Sequence, residues 1–270
     1  MAEYVELSIG QVALASLLIL INAGVSIWLG LRMEKTLLIA SVRTVVQLSL
    51  LGLILNWIFR IDRWYVVLLI ATLMTVIAGM TAAGRSRRSF PGIRFIATSS
   101  VMASAWLVTA YVLVFVLQGL EKWYQPQYAI PLLGMVLGNT LNGISVGLST
   151  LSESLLRHRD RVETLLALGA TRHEAAGESM REAVRTGMIP IVNSMMIVGL
   201  VSLPGMMTGQ LVSGMDPAQA VRYQIVIMFL IAGATALGTV LVVYLAMHRL
   251  FAPDHRFRYD ALSEPPRGRE

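Results

Sequence analysis

With 270 residues, 56% of them hydrophobic and 14% charged, and a mean hydropathy of +0.67, the chain has the composition of an integral membrane protein and not of a soluble globule. Its formal charge of +6 is no nucleic-acid signal in that setting, because the basic residues of membrane proteins collect in cytoplasmic loops. The absence of cysteine excludes a disulfide framework, a thiolate metal site and a cysteine nucleophile.

The N-terminus, MAEYVELSIG, places acidic residues ahead of a first apolar run too long for a signal-peptide core, so this run is expected to stay as an uncleaved anchor. A spanning helix needs about 20 apolar residues, and about seven windows qualify. They are Gln11–Leu31, Thr36–Phe59, Trp64–Gly84, Phe95–Gln118, Ala129–Leu151, Gly187–Val212 and Tyr223–His248. Trp57, Trp64, Tyr65, Trp123, Tyr124, Tyr128 and Tyr223 sit at their ends as an interfacial belt. The predicted fold is therefore all-α and polytopic, embedded in a lipid bilayer. Most of the 22 basic residues, Arg85 and Arg87 among them, fall on one side if the N-terminus is outside; Arg60, Arg63, Lys122 and Arg222 fall on the other. That bias predicts an outside N-terminus and a cytoplasmic C-terminus. A transmembrane domain over 1–252 would be followed by a polar, Pro-containing tail over 253–270, expected to be disordered.

The longest run without a membrane-length apolar block, Glu153 to Arg185, is expected to be a cytoplasmic helical hairpin within 153–186. Val162, Leu165, Leu166 and Leu168 recur at helical spacing, and Gly169 closes that helix as a residue able to take positive φ. Thr171 and Glu174 then form a capping box that starts a second helix over Arg172–Arg185. Alternating charges at i, i+4 suit a solvated pair, but a Leu-rich apex suits a protein partner.

The fifth window carries Gly134, Gly138, Asn142, Ser145, Ser149 and Ser152 on one helical face, with Asn139 beside them. Gly134–Gly138 and Gly143–Gly147 also read as GxxxG, and the glycines fit close helix packing, whereas an amide in hydrocarbon needs a partner or water. Leu203-Pro204-Gly205 interrupts the sixth window, predicting a kink or a broken helix that exposes backbone carbonyls. The methionines nearby, Met188, Met195, Met196, Met206, Met207 and Met215, read as adaptable apolar filler ahead of a soft-metal ladder. Arg43 is the one ionisable residue well inside a window, with Gln47 a turn further on; it either snorkels or pairs, or it contacts an anionic group. No Asp or Glu lies within a window, and His158, His173, His248 and His255 lie in loops or at a membrane edge, where no two share a metal inside the bilayer. The metal ligands, if any, stay unassigned. Lys35 and Lys122 both follow Glu, so no GxxxxGK[ST] phosphate loop exists and the chain is not by itself a P-loop ATPase.

Glu163-Thr164-Leu165-Leu166-Ala167-Leu168-Gly169-Ala170-Thr171 resembles the EAA-type coupling segment of ABC-transporter permeases, in which a Glu and a later Gly bracket a short helix that docks into the ATPase. Glu163 and Gly169 match; Thr164 and Leu165 stand where that family has alanines, and the Ile-x-Leu-Pro run of importers is absent at its usual spacing. Taken whole, the chain is similar to the FetB-like (YbbM) permeases, described as iron exporters, and to plant aluminium-sensitivity permeases. The resembling runs are Ala40–Leu48, Gly134–Gly143 and Leu203–Gln210. The resemblance implies a multi-pass inner-membrane exporter of iron or another metal species that is no enzyme itself. It also implies ATP and Mg bound only on a separate ABC ATPase, and a second copy of this chain in a two-plus-two assembly. Glu163, Leu165, Leu166, Gly169, Thr171 and Glu174 would couple; Arg43, Gln47, Asn139, Asn142, Ser145, Pro204 and Gly205 would form the path. An organic anion such as a nucleotide sugar suits Arg43 and the amides as cargo, and a non-transporting scaffold that recruits an ATPase or a secondary transporter are the other classes.

Overall fold

The computed structural model of the chain describes residues 8–60, 63–116, 122–252, 254 and 256–262. The described chain is helical: α1 (Ile9–Trp28), α2 (Glu34–Arg60), α3 (Trp64–Gly84), α4 (Ile93–Tyr111, continued by a π-helical turn Val112–Val116), α5 (Pro126–Arg157), α6 (Arg159–Ala167), α7 (Arg172–Ile197), α8 (Gly205–Val212) and α9 (Pro217–Leu250). Among the described residues, six helices are long and apolar enough to cross a membrane: α1 to α5 and α9.

The sixth window is the exception. Its first half is the end of α7, which begins in the charged hairpin at Arg172 and runs on without a stop, so the hairpin's second arm and the following apolar segment are one helix. The chain then leaves helical geometry at Val198 (ψ 133°), and Gly199 takes φ +80°, a left-handed turn that a side chain would strain. α8 starts only after Pro204, whose fixed φ suits the cap position of a new helix. The window is thus broken, and the break spans Val198 to Pro204 instead of centring on Pro204-Gly205.

α5 is the axis of the bundle, packed against α3, α4, α7 and α9. Lipid is as apolar as leucine, so close approach holds membrane helices together where water-driven burial cannot. A Cβ on Gly143 would come within 2.6 Å of Thr235 on α9, and one on Gly187 of α7 within 2.7 Å of Thr239 and 2.8 Å of the Gly143 carbonyl. Three backbones therefore meet where only glycine fits. The other small pair behaves differently: a Cβ on Gly134 would touch only Met74, at 3.4 Å, and one on Gly138 would meet nothing. Between α3 and α4, the indole of Trp106 donates to Thr75 Oγ1 at 2.9 Å, which pairs two polar groups inside the bundle.

α1 and α2 pack on each other, and α2 reaches the bundle mainly at its end, where Ile58 is buried against Val67 and Ile130. The rest of α2 is almost entirely exposed, Arg43 and Gln47 included.

Of the tail, the described residues 256–262 fold back against the end of α9. Phe257 pairs with Phe251 across an antiparallel bridge and is 3% exposed, Leu262 is also buried, and Tyr259–Ala261 form a single 3-10 turn. Two apolar side chains with surface to bury are enough to fold this run back. Residues 1–7 and 263–270, which carry the expectations about the leader and the rest of the tail, lie outside the described residues.

Candidate functional site

The polar face of α5 opens into a groove of about 550 Å3 between α3, α5 and α7. Arg85, the residue that ends α3, donates from Nη1 to Asn142 Oδ1 at 2.8 Å. Two positions on, the Arg87 amide donates to Ser149 Oγ at 3.2 Å, and its guanidinium pairs with Glu153 at 3.2 Å. Ser145, buried between these levels, lies 2.7 Å from the Leu141 carbonyl and 3.1 Å from that of Ala82, so its one hydrogen is shared between the helix's own backbone and α3. Pro190 of α7 lines the groove as well. Asn142, Ser149 and Glu153 recur at steps that keep them on one helical face, and the arginines arrive because the turn after Gly84 lies beside it.

This arrangement divides the path residues proposed from sequence. Asn142 and Ser145 line the groove. Asn139 is exposed close by on α5, its amide donating to the Met135 carbonyl at 2.9 Å. Arg43 and Gln47 lie on the exposed surface of α2 and do not line it; Pro204 and Gly205 open α8, beside a separate hollow lined by residues Met206 to Met215. Arg85, Arg87 and Glu153, by contrast, entered the sequence reading only as topology charges and a hairpin boundary. Nothing in a single sequence says that the loop after α3 packs on α5, and that packing is what gives them a role.

The hairpin apex is built as the spacing predicts. Gly169 takes φ +91°. Thr171 caps α7: its Oγ1 accepts from the Glu174 amide at 3.4 Å, while Glu174 Oε2 accepts from the Thr171 amide at 2.7 Å and its hydroxyl at 2.8 Å. The backbone hydrogen bond first, then the hydroxyl, hold the Glu174 carboxyl below the usual carboxylate range. Glu163 pairs with Arg159 at 2.7 Å within α6, and Arg161 pairs across to Glu178 of α7. Val162 is buried, and Leu165 and Leu166 are half-buried against the bundle. The exposed apolar side chain at the tip is Leu168, at 79%. Below the apex, Ser154 of α5 reaches Ser179 at 2.9 Å and Glu182 at 2.6 Å on α7. The tail buttresses α6 from the other side, with the Arg159 guanidinium 3.5 Å above the Tyr259 ring.

Residues 9–251, the whole bundle and its apex, match the family described as Uncharacterised protein family (UPF0014). The chain belongs to the UPF0014 family. It is 41% identical over 215 residues to the UPF0014 membrane protein of Synechocystis, covering 80% of this chain and 83% of that protein. It is 30% identical over 246 residues to the Probable iron export permease protein FetB of Escherichia coli, covering 91% and 93%. The protein ALUMINUM SENSITIVE 3 of Arabidopsis thaliana is 30% identical over 252 residues, covering 93% and 90%. No solved structure matches the chain. As a UPF0014 protein with six membrane-length helices among its described residues, it is a multi-pass membrane protein of a permease family.

Proposed function

We propose that this UPF0014 protein is the membrane subunit of an ATP-driven exporter, paired with a separate ABC ATPase that binds ATP and Mg, with two copies of each subunit. It would sit in the inner membrane with its C-terminus in the cytoplasm. The observation that carries this reading is the continuity of α7. One unbroken helix runs from the Thr171 cap at the apex to Pro190 at the groove. An ATPase gripping the exposed Leu168 turn therefore has a rigid lever on one wall of a polar path. Closure of the ATPases on ATP would move that wall, and the groove would alternate between the two sides.

The side chains in the groove bear on the cargo. Two guanidiniums, an amide, hydroxyls and one carboxylate already paired with Arg87 suit a polar anionic solute, or a metal carried as an anionic complex. The relative named an iron export permease makes the second the leading form. An organic anion follows from the same arginines and is the alternative.

The test is co-purification with a candidate ATPase in nanodiscs, then flux in sealed vesicles of ferrous iron, ferric citrate and a nucleotide sugar. A stable complex with ATP-dependent flux of one of them supports the proposal. A complex without flux of any solute points to the recruiting scaffold. Flux that persists without an ATPase points to a secondary transporter.

A further inference from the structure

We propose that His173 and His248 form a two-imidazole binding site for a borderline divalent transition-metal ion, separate from the groove. The two residues are far apart in sequence. The fold brings the first turn of α7 against the last turns of α9, and the rings lie with centroids 5.1 Å apart and planes at 65°. A tetrahedral ion about 2.0 to 2.1 Å from one nitrogen of each ring would hold the ring centres about 5 Å apart. The pair already has that spacing.

The proton assignment agrees. His248 Nδ1 lies 3.0 Å from the Tyr244 carbonyl, and a carbonyl can only accept, so the contact puts a hydrogen on Nδ1 and, in the neutral ring, leaves the lone pair on Nε2. A ring nitrogen donating to backbone while the other faces a ligand is the usual support of a metal-bound histidine. Tyr244 also flanks both rings, at 4.3 Å from His248 and 5.7 Å from His173, which limits their swing. His173 and Tyr244 are exposed and His248 is half-buried, so an ion has access. Among the described residues no third His, Cys, Asp or Glu completes a cluster, and the other positions of the ion fall to water. Two neutral imidazoles with water favour Cu2+, Ni2+ and Zn2+ over Fe2+ and over hard cations. A bound ion would tie the start of α7, next to the coupling turn, to the end of α9.

The experiment uses the full chain in nanodiscs, purified on a histidine-free affinity tag. Zn2+ and Ni2+ are titrated by calorimetry, and Cu2+ is followed by electron paramagnetic resonance. The expected result is one ion per chain in the micromolar range, two nitrogen couplings on copper, and at least about tenfold weaker binding in His173→Ala and in His248→Ala. His158→Ala, which removes a ring bonded to the Ser154 carbonyl at the end of α5, should bind as the parent does. Parent-like binding in either of the first two variants with an unchanged melting temperature, a single nitrogen coupling, or no ion bound at millimolar concentration would each overturn the site. None of these readouts requires an ATPase or a transported solute, so failure here leaves the transport reading standing, and the reverse.

Discussion

Arg85 and Asn142, 57 residues apart, meet in a hydrogen bond of 2.8 Å that fastens the end of α3 to the polar face of α5. The contact joins a charge counted for topology to an amide noticed for its place in a helix. Neither residue alone defines a site, but the pair supplies the charge and the polar wall of the groove.

The first prediction concerns that pair. A hydrogen bond to a charged group is worth about 1.5 to 3 kcal/mol when its partner is removed, or about tenfold or more in an equilibrium. Arg85→Ala and Asn142→Ala should each lower flux by about tenfold in reconstituted vesicles, leaving the basal hydrolysis of the associated ATPase unchanged. Arg85→Lys should fall between, since it keeps the charge but loses the planar fork. Flux of parental size in both alanine variants would remove the groove from the path.

A second prediction separates the two glycine pairs. Gly143→Ala and Gly187→Ala force a methyl group into atoms less than 3 Å away, and overpacking of this kind costs about 1 to 3 kcal/mol. Both should lower the melting temperature in detergent. Gly138→Ala meets open space and should leave it unchanged. Equal melting temperatures for all three would mean that the α5, α7 and α9 backbones approach less closely than described.

These glycines also mark what a single sequence discloses. Apolar length was enough for the polytopic helical fold, and the cap chemistry of Gly169, Thr171 and Glu174 was enough for the apex, because both are local properties of the chain. Packing is not local. GxxxG spacing marked Gly134–Gly138 as firmly as Gly143–Gly147, and only the position of Thr235 and Thr239 on a helix about 90 residues later tells them apart. Arg43 drew notice as a charge in an apolar window, yet α2 hardly joins the bundle, so it stands apart from Asn142. The arginines that do reach Asn142 and Glu153 looked like ordinary loop charges. The bounds of the sixth window differ for a related reason: hydropathy counts apolar residues, while the helix there begins in the charged hairpin and ends at a glycine turn.

The third prediction follows from the Glu174 carboxyl. Its hydrogen bonds to Thr171 lower its folded-state pKa, so the stability it adds is present above the unfolded carboxylate value and is lost as pH falls through the lowered folded value. Amide exchange over residues 171–176, corrected for intrinsic rates, should therefore stay slow at neutral pH and speed up on acidification below the ordinary glutamate range. Thr171→Ala should give fast exchange at both, because an N-cap hydroxyl is worth about 1 kcal/mol. Exchange in the parent that ignores pH would mean the capping box is not formed in solution.

The fourth prediction tests the grip on the apex. Leu168 is the side chain that α6 and the turn leave in the open, at 79% exposure, while Leu165 and Leu166 are committed to the bundle. An apolar anchor seated in a partner's pocket commonly contributes about 2 kcal/mol or more to binding. Leu168→Asp should therefore weaken capture of the ATPase by about thirtyfold or more and abolish ATP-dependent flux. The same variant should keep the parental melting temperature, since the residue touches little of its own fold. Leu166→Asp should instead lower the melting temperature, because its side chain packs against the core. If Leu168→Asp binds the ATPase as the parent does, the apex is a solvated turn, its charges serve only each other, and the lever through α7 has no hand upon it.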